Sequence, residues 1–245
     1  LAADYSGDIH KNDYKWMQFN VMHTIDQRPF TTGAEDYNDT YFEMEFGGRS
    51  GLFDLYGYVD VFDIFDSRHS DKHKGQNLFM KFAPRMSLDA LTGKDLSFGP
   101  VQEVYIASLN NIGDNQMENM IGLGADVQVP WFGKVGMNLY ARHVNEGGGE
   151  QGWNGYQFSM NWFKPFYTFS NGSFVAYQGY LDHLFDAKDT STDGTAMFNG
   201  LYWHSDRYAV GYGLKYFNDI YGIQNGSYGL KTTGFGHYFS VTYKF

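Results

Sequence analysis

HYFSVTYKF, His237 to Phe245, alternates without a break. His237, Phe239, Val241, Tyr243 and Phe245 share one side, and Tyr238, Ser240, Thr242 and Lys244 share the other. Successive side chains of a strand point to opposite faces, so this stretch reads as a strand with an apolar, aromatic face and a mostly polar one. Chain ends ordinarily fray and carry polar residues. A strictly alternating aromatic strand here predicts full pairing along its length and one face set against an apolar medium.

The same rhythm recurs upstream. Lys15–Thr24, Tyr37–Gly47, Gly51–Ile64, Gln76–Ser87, Gly99–Leu109 and Glu118–Val129 alternate in twos. Gly133–Val144, Gly152–Phe163, Ser173–Leu184, Gly194–His204, Asp206–Phe217 and Thr233–Phe245 continue the pattern, Gly194–His204 being the least regular. That makes twelve strands, an even number. Short connections fall at Gly48–Ser50, Pro130–Phe132 and around Ser205, and intermediate ones at Leu88–Phe98 and Lys164–Gly172. Longer polar ones fall at Ile25–Asp36, Phe65–Gly75, Asn110–Met117, Asn145–Gln151, Phe185–Asp193 and Asn218–Thr232. Every longer loop then lands at one end, the asymmetry of an outer-membrane barrel.

A soluble lipocalin-like barrel would also alternate, with its apolar face inward. Three features favour the membrane. The strands number twelve rather than eight. They reach the roughly 9–11 residues that cross a bilayer at a tilt. Aromatics cluster near strand ends (Trp131, Trp153, Trp162, Tyr208, Tyr243, Phe245), as interfacial girdles do. The expected fold is all-β: a single 12-stranded antiparallel transmembrane barrel over 15–245, with a polar N-terminal segment over 1–14. Pro84 sits inside a strand, where a bulge or weakened pairing is expected.

Composition agrees. Of 245 residues, 19% are aromatic and 30 are Gly, while mean hydropathy is -0.46. That combination suits strands whose two faces meet different solvents and fits neither a disordered chain nor an ordinary α/β enzyme. There is no Cys, which excludes disulfides and thiol chemistry. The net charge of -10 and the lack of a basic stripe argue against nucleic-acid binding. No run approaches the ~18–20 apolar residues of a membrane helix. Leu1 followed by Ala2 and Ala3 is expected to mark a processed chain.

In a membrane barrel the polar face lines the lumen. The first five strands would place Glu43, Glu45, Asp54, Asp60, Lys81, Arg85 and Glu103 there, with Tyr41, Tyr56, Tyr58, Phe79 and Tyr105. Interleaved charges and rings suit an uncharged flat solute with hydrogen-bonding edges. Twelve strands enclose a space between the filled eight-stranded barrel and the wide sixteen-stranded pore. Catalysis finds little support: His10, His69 and His73 fall in the N-terminal segment or a loop, His23, His143, His183 and His204 at strand ends, and no H-E-x-x-H occurs. Asp63, Asp66, His69, Asp71 and His73 are crowded, but their spacing is not diagnostic of a metal. No cofactor is expected.

NDTYFEMEF (Asn38–Phe46), FDLYGYVD (Phe53–Asp60), LFMKFAPRMSLDALTGKDLSFGP (Leu78–Pro100), GLGADV (Gly122–Val127), MNLYAR (Met137–Arg142), WNGYQF (Trp153–Phe158) and TTGFGHYFSVTYKF (Thr232–Phe245) resemble the Tsx family of nucleoside-specific outer-membrane channels. The resemblance spans nearly all strands, and LTGKDLSFGP is its most specific segment. It implies a monomeric barrel in lipid and lipopolysaccharide that passes nucleosides by facilitated diffusion. It also implies use as a bacteriophage or colicin receptor. Carried over by matching strands, the lining includes Tyr41, Glu43, Glu45, Asp54, Tyr56, Tyr58 and Asp60, with Lys81, Arg85, Glu103 and Tyr105 in or beside other matching segments. The loops Phe65–Gly75 and Asn110–Met117 depart from the family pattern. The terminal Phe245 resembles the signal read by outer-membrane assembly machinery. Two rival readings stand beside this one: a surface receptor with incidental permeability, and an outer-membrane hydrolase.

Overall fold

Alternation with no hydrophobic interior to share has one stable outcome: the strands pair in a ring and turn their apolar sides outward. The computed structural model, which describes residues 3–33 and 37–245, is such a ring. Leu1, Ala2 and the last part of the predicted Ile25–Asp36 connection lie outside the described residues. The strands are β1 (Tyr14–Ile25), β2 (Asn38–Ser50), β3 (Phe53–Val61), β4 (Leu78–Phe82 continued by Arg85–Ser87), β5 (Val101–Gly113) and β6 (Gln116–Val129). They continue with β7 (Gly133–Glu146), β8 (Gly152–Thr168), β9 (Phe174–Phe185), β10 (Gly194–His204), β11 (Tyr208–Asn218) and β12 (Gly234–Lys244). Each pairs antiparallel with its sequence neighbours, and β12 returns to β1 from Gln18↔Lys244 to Ile25↔His237.

HYFSVTYKF is therefore the closing strand. Its ladder continues past Lys244, where the Phe245 N–H donates to the Met17 carbonyl at 3.1 Å. On the outer wall the Phe245 ring meets Phe19 at 4.7 Å and Tyr243 at 5.2 Å. At the other end of the same seam, Phe30–Thr31 and Leu230–Lys231 form a two-residue ladder between the first and last long loops. The outer wall exposes Val21, Leu123, Leu139, Val210, Phe239 and Val241, as a lipid-facing surface should. Trp162, expected in an interfacial girdle, lies on this wall but is covered, with Tyr177 at 5.7 Å.

β4 breaks at Ala83–Pro84, where proline lacks a donor. Neighbours repair the gap: Ala83 N–H donates to Tyr56 O at 2.9 Å, and Pro84 O accepts from both Ser108 N (3.1 Å) and Ser108 Oγ (2.8 Å). Lys81 and Arg85, four positions apart in sequence, stay on one face across the break.

One expectation requires correction. Asn110–Met117 is not a long loop: β5 runs to Gly113, β6 starts at Gln116, and Asn115 turns the chain with φ 57°. Its polar residues are ladder residues that bond across the pair, Asn119 to Asn110 at 2.6 Å and Asn111 to Glu118 at 2.8 Å. β10, the least regular in alternation, spans the expected Gly194–His204 and pairs with both β9 and β11. Its inward rings Phe198 and Tyr202 lie flat over Gly213 and Gly211 of β11, where a Cβ would collide with them. The intermediate connection after β4 holds a short helix, α1 (Leu88–Thr92), capped by Ser87 Oγ on Ala90 N–H at 3.0 Å and ended by Gly93 at φ 65°.

Leu123 sits midway along β6 and is 64% exposed on the outer wall. Leu123→Arg should destabilise the folded barrel in lipid by about 2–4 kcal/mol, the cost of a cation at mid-bilayer. Urea unfolding in vesicles measures this.

Candidate functional site

The inward faces of four consecutive strands carry the polar set. β2 supplies Tyr41, Glu43, Glu45 and Arg49, and β3 supplies Asp54, Tyr56, Tyr58 and Asp60. β4 supplies Phe79, Lys81 and Arg85, and β5 supplies Glu103 and Tyr105. All twelve residues singled out in the sequence thus lie on the inner wall, but they divide into two regions with different chemistry.

The region near the short turns is closed upon itself. Arg85 reaches Asp54 at 2.6 Å and Asp126 at 2.9 Å, and donates to Asn138 Oδ1 at 3.3 Å. Its guanidinium lies 3.9 Å from the Tyr105 ring centre, while the Tyr105 hydroxyl donates to Asp126 at 2.8 Å. Arg49 pairs with Glu103 at 2.5 Å and donates to the Tyr105 hydroxyl oxygen at 3.1 Å. Ser87 Oγ adds a third bond to Glu103 at 2.7 Å. Two guanidinium groups therefore engage three carboxylates across β2 to β7, with Tyr105 between them. Buried charges persist only when paired in this way. These groups brace one side of the wall, their donors and acceptors occupied by each other.

The region above is open to the lumen. Rings climb the wall from Trp16 on β1 to Tyr56 (6.2 Å between centres), Tyr58 (6.3 Å) and Phe79 (6.0 Å). Tyr56 remains 37% exposed even with these neighbours. Beside the rings stand Glu43, Glu45 and Asp60, with Glu43 directly opposite Asp60 in the ladder. Gln18 donates to Glu45 at 2.7 Å, Asn20 donates to Glu43 at 2.8 Å, and the Tyr56 hydroxyl donates to Glu45 at 2.6 Å. Among the described residues no Lys or Arg forms an ion pair with these three carboxylates. Neutral donors hold the Glu43 and Glu45 acceptors in place beside the lumen.

The far wall was missed by a reading confined to the first five strands. Tyr180 stacks on Phe198 at 5.7 Å, and Phe198 meets Tyr238 at 5.5 Å. Lys215 points its ammonium at Tyr180 (5.4 Å) and Tyr238 (5.5 Å), and Asp182 approaches Lys81 at 3.9 Å. The signal was present: the same parity that put Lys81 inside puts Asp182, Lys215 and Tyr238 inside.

In the loop after β3, Asp63, Asp66 and His73 converge with their donor atoms within 4.8 Å of one another. His73 Nδ1 lies 3.1 Å from Asp66 and 3.5 Å from Asp63, and Asp63 also accepts from Ser67 N–H at 2.7 Å. This cluster ties the loop to itself; His69 and Asp71 are not part of it.

Residues 11–245 match the family model described as nucleoside-specific channel-forming protein, Tsx. The chain belongs to the Tsx family. Within it, the barrel is 59% identical to outer membrane protein OmpK of Vibrio parahaemolyticus serotype O3:K6, covering 100% of this chain and 93% of that protein. It is 32% identical to the nucleoside-specific channel-forming protein Tsx of Salmonella typhimurium, over 85% of this chain and 81% of that one. The NanC porin shares the fold at a TM-score of 0.52 and 8% identity, over 93% of this chain and 98% of that one. This Tsx-family chain is an outer-membrane β-barrel, so its short turns face the periplasm and its long loops face outward.

Arg85→Ala would leave the buried Asp126 and the half-buried Asp54 without their cation. The expected loss is about 3–5 kcal/mol of folded-state stability, as when one partner of a buried pair is removed. Denaturant titration of the refolded barrel checks it.

Proposed function

We propose that this barrel lets nucleosides and similar small solutes diffuse across the outer membrane, driven by their own gradient and without a chemical step. The observation that carries the reading is the run of rings Trp16, Tyr56, Tyr58 and Phe79 beside the carboxylates Glu43, Glu45 and Asp60. A base is a flat ring that stacks on aromatic faces in any sequence context. A sugar presents hydroxyl donors, which carboxylates accept. Successive rings roughly 6 Å apart give several weak positions rather than one tight one, the condition for entry and release. Facing them across the lumen, Tyr180 and Lys215 supply a further ring and a donor. The relatives described as nucleoside-specific channel-forming proteins support the same solute class. One chain closes its own ring, so a monomer suffices.

A second role, as a docking site for bacteriophage or colicin, rests on the outer loops. Phe65, Tyr221 and Tyr228 are 74%, 64% and 88% exposed there, large apolar surfaces held in water. Exposed aromatics of this kind are common anchors for a protein partner.

In planar bilayers, nucleosides should reduce the ion current of the wild-type barrel. Tyr56→Ala and Tyr58→Ala should each weaken that block roughly 5- to 150-fold, the equivalent of one lost base stack of about 1–3 kcal/mol. A current unaffected by every nucleoside up to millimolar concentration removes the reading. For the second role, exchanging residues 65–75 for a neutral loop should abolish adsorption of a phage that uses this barrel while nucleoside block persists.

A further inference from the structure

The N-terminal segment is polar and mostly exposed, with one exception. Asp4, Ser6, Gly7 and Asp8 face water, yet Tyr5 among them is only 6% exposed. A turn aims it: Ser6 N–H and Ser6 Oγ both donate to Asp4 Oδ1, at 3.1 and 2.8 Å. The ring lands on the inner wall described above. It lies 4.8 Å from the Arg49 guanidinium, whose distance to the Tyr105 ring is 5.6 Å, and its hydroxyl donates to Glu103 at 3.4 Å. The segment is fastened on both sides of this contact. Asp13 Oδ1 accepts from Gly51 N–H in the β2–β3 turn at 2.8 Å, and Ala3 N–H donates to Gln102 O on β5 at 3.4 Å. From Tyr14 on β1, the chain thus crosses the periplasmic mouth over β2, β3 and β4 to reach β5.

We infer that this segment is a working part of the channel and that Tyr5 narrows its periplasmic exit. Tyr5 is delivered from outside the ladder and adds bulk to the bore where Arg49 and Glu103 already project. Its ring also shields one face of the Arg49 guanidinium, so it masks a cation at the exit as well as reducing the cross-section. The inference refines the proposed solute path and rests on it for the solute, though not for ion flow.

The chain contains no Cys, so a cysteine at position 5 would be its sole thiol. Tyr5→Ala should raise single-channel conductance in potassium chloride by about twofold or more, as widening a narrow aqueous constriction does, while Tyr5→Phe, which keeps the ring, should conduct like wild type. In Tyr5→Cys, a bulky thiol reagent added from the periplasmic side should cut the current, with wild type unaffected. Heat-resistant migration on gels establishes that each variant is a folded barrel. Equal conductance of Tyr5→Ala and wild type overturns the inference, as does a Tyr5→Cys current that no reagent changes from either side. Should Tyr5→Ala fail to fold, the reagent experiment decides alone. Loss of nucleoside block in wild type would instead sink the solute reading and leave the conductance contrast standing.

Discussion

A backbone amide in hydrocarbon has no water to turn to. That single constraint fixes most of this molecule. Each strand pairs on both sides, and the final pairing of β12 with β1 leaves no open edge in lipid. Where proline removes a donor at position 84, neighbouring backbone and a serine hydroxyl take up the freed groups. Side chains are then free to specialise. The outer face has only to be apolar, and the inner face can carry charges that would be intolerable in lipid.

The inner face uses that freedom in two ways. Near the periplasm, charges are paired: Arg85 and Arg49 bind Asp54, Asp126 and Glu103 with near-complete satisfaction of donors. Higher up, Glu43 and Glu45 are steadied by amides and a phenol, with Asp60 opposite Glu43, and no arginine engages them. One set stiffens the wall and the other faces what passes through. The same residue types on the same strands thus do different work, and which group faces an arginine decides it.

Period-two alternation made the strands and their facing legible, because burial in a two-solvent wall forces it on every residue. Tyr41 through Tyr105 fell on the inner face by parity alone. Other features had no local signature. The partners of Arg85 lie on β3 and β6, and no window of sequence relates them. Asn110 to Met117 resembled a loop because residues lining a polar lumen and residues facing water have the same composition. Nothing local marks Gly211 and Gly213 as the positions that make room for Tyr202 and Phe198 from the adjacent strand. Tyr5 belongs to no period, and one aromatic among polar residues cannot announce its target.

The seam between β1 and β12 joins residues separated by nearly the whole chain: Thr242 Oγ1 bonds Asn20 Oδ1, 222 positions away. Within the barrel all other strand pairings join sequence neighbours, so topology gives this molecule eleven easy pairings and one difficult one. Loop-closure entropy grows with separation, which makes the seam the natural last event of assembly. Until it forms, both edge strands are templates for wrong partners. The Phe19–Phe245 ring contact at one end and the small outer ladder of Phe30–Thr31 with Leu230–Lys231 at the other give that late encounter two places to start zipping.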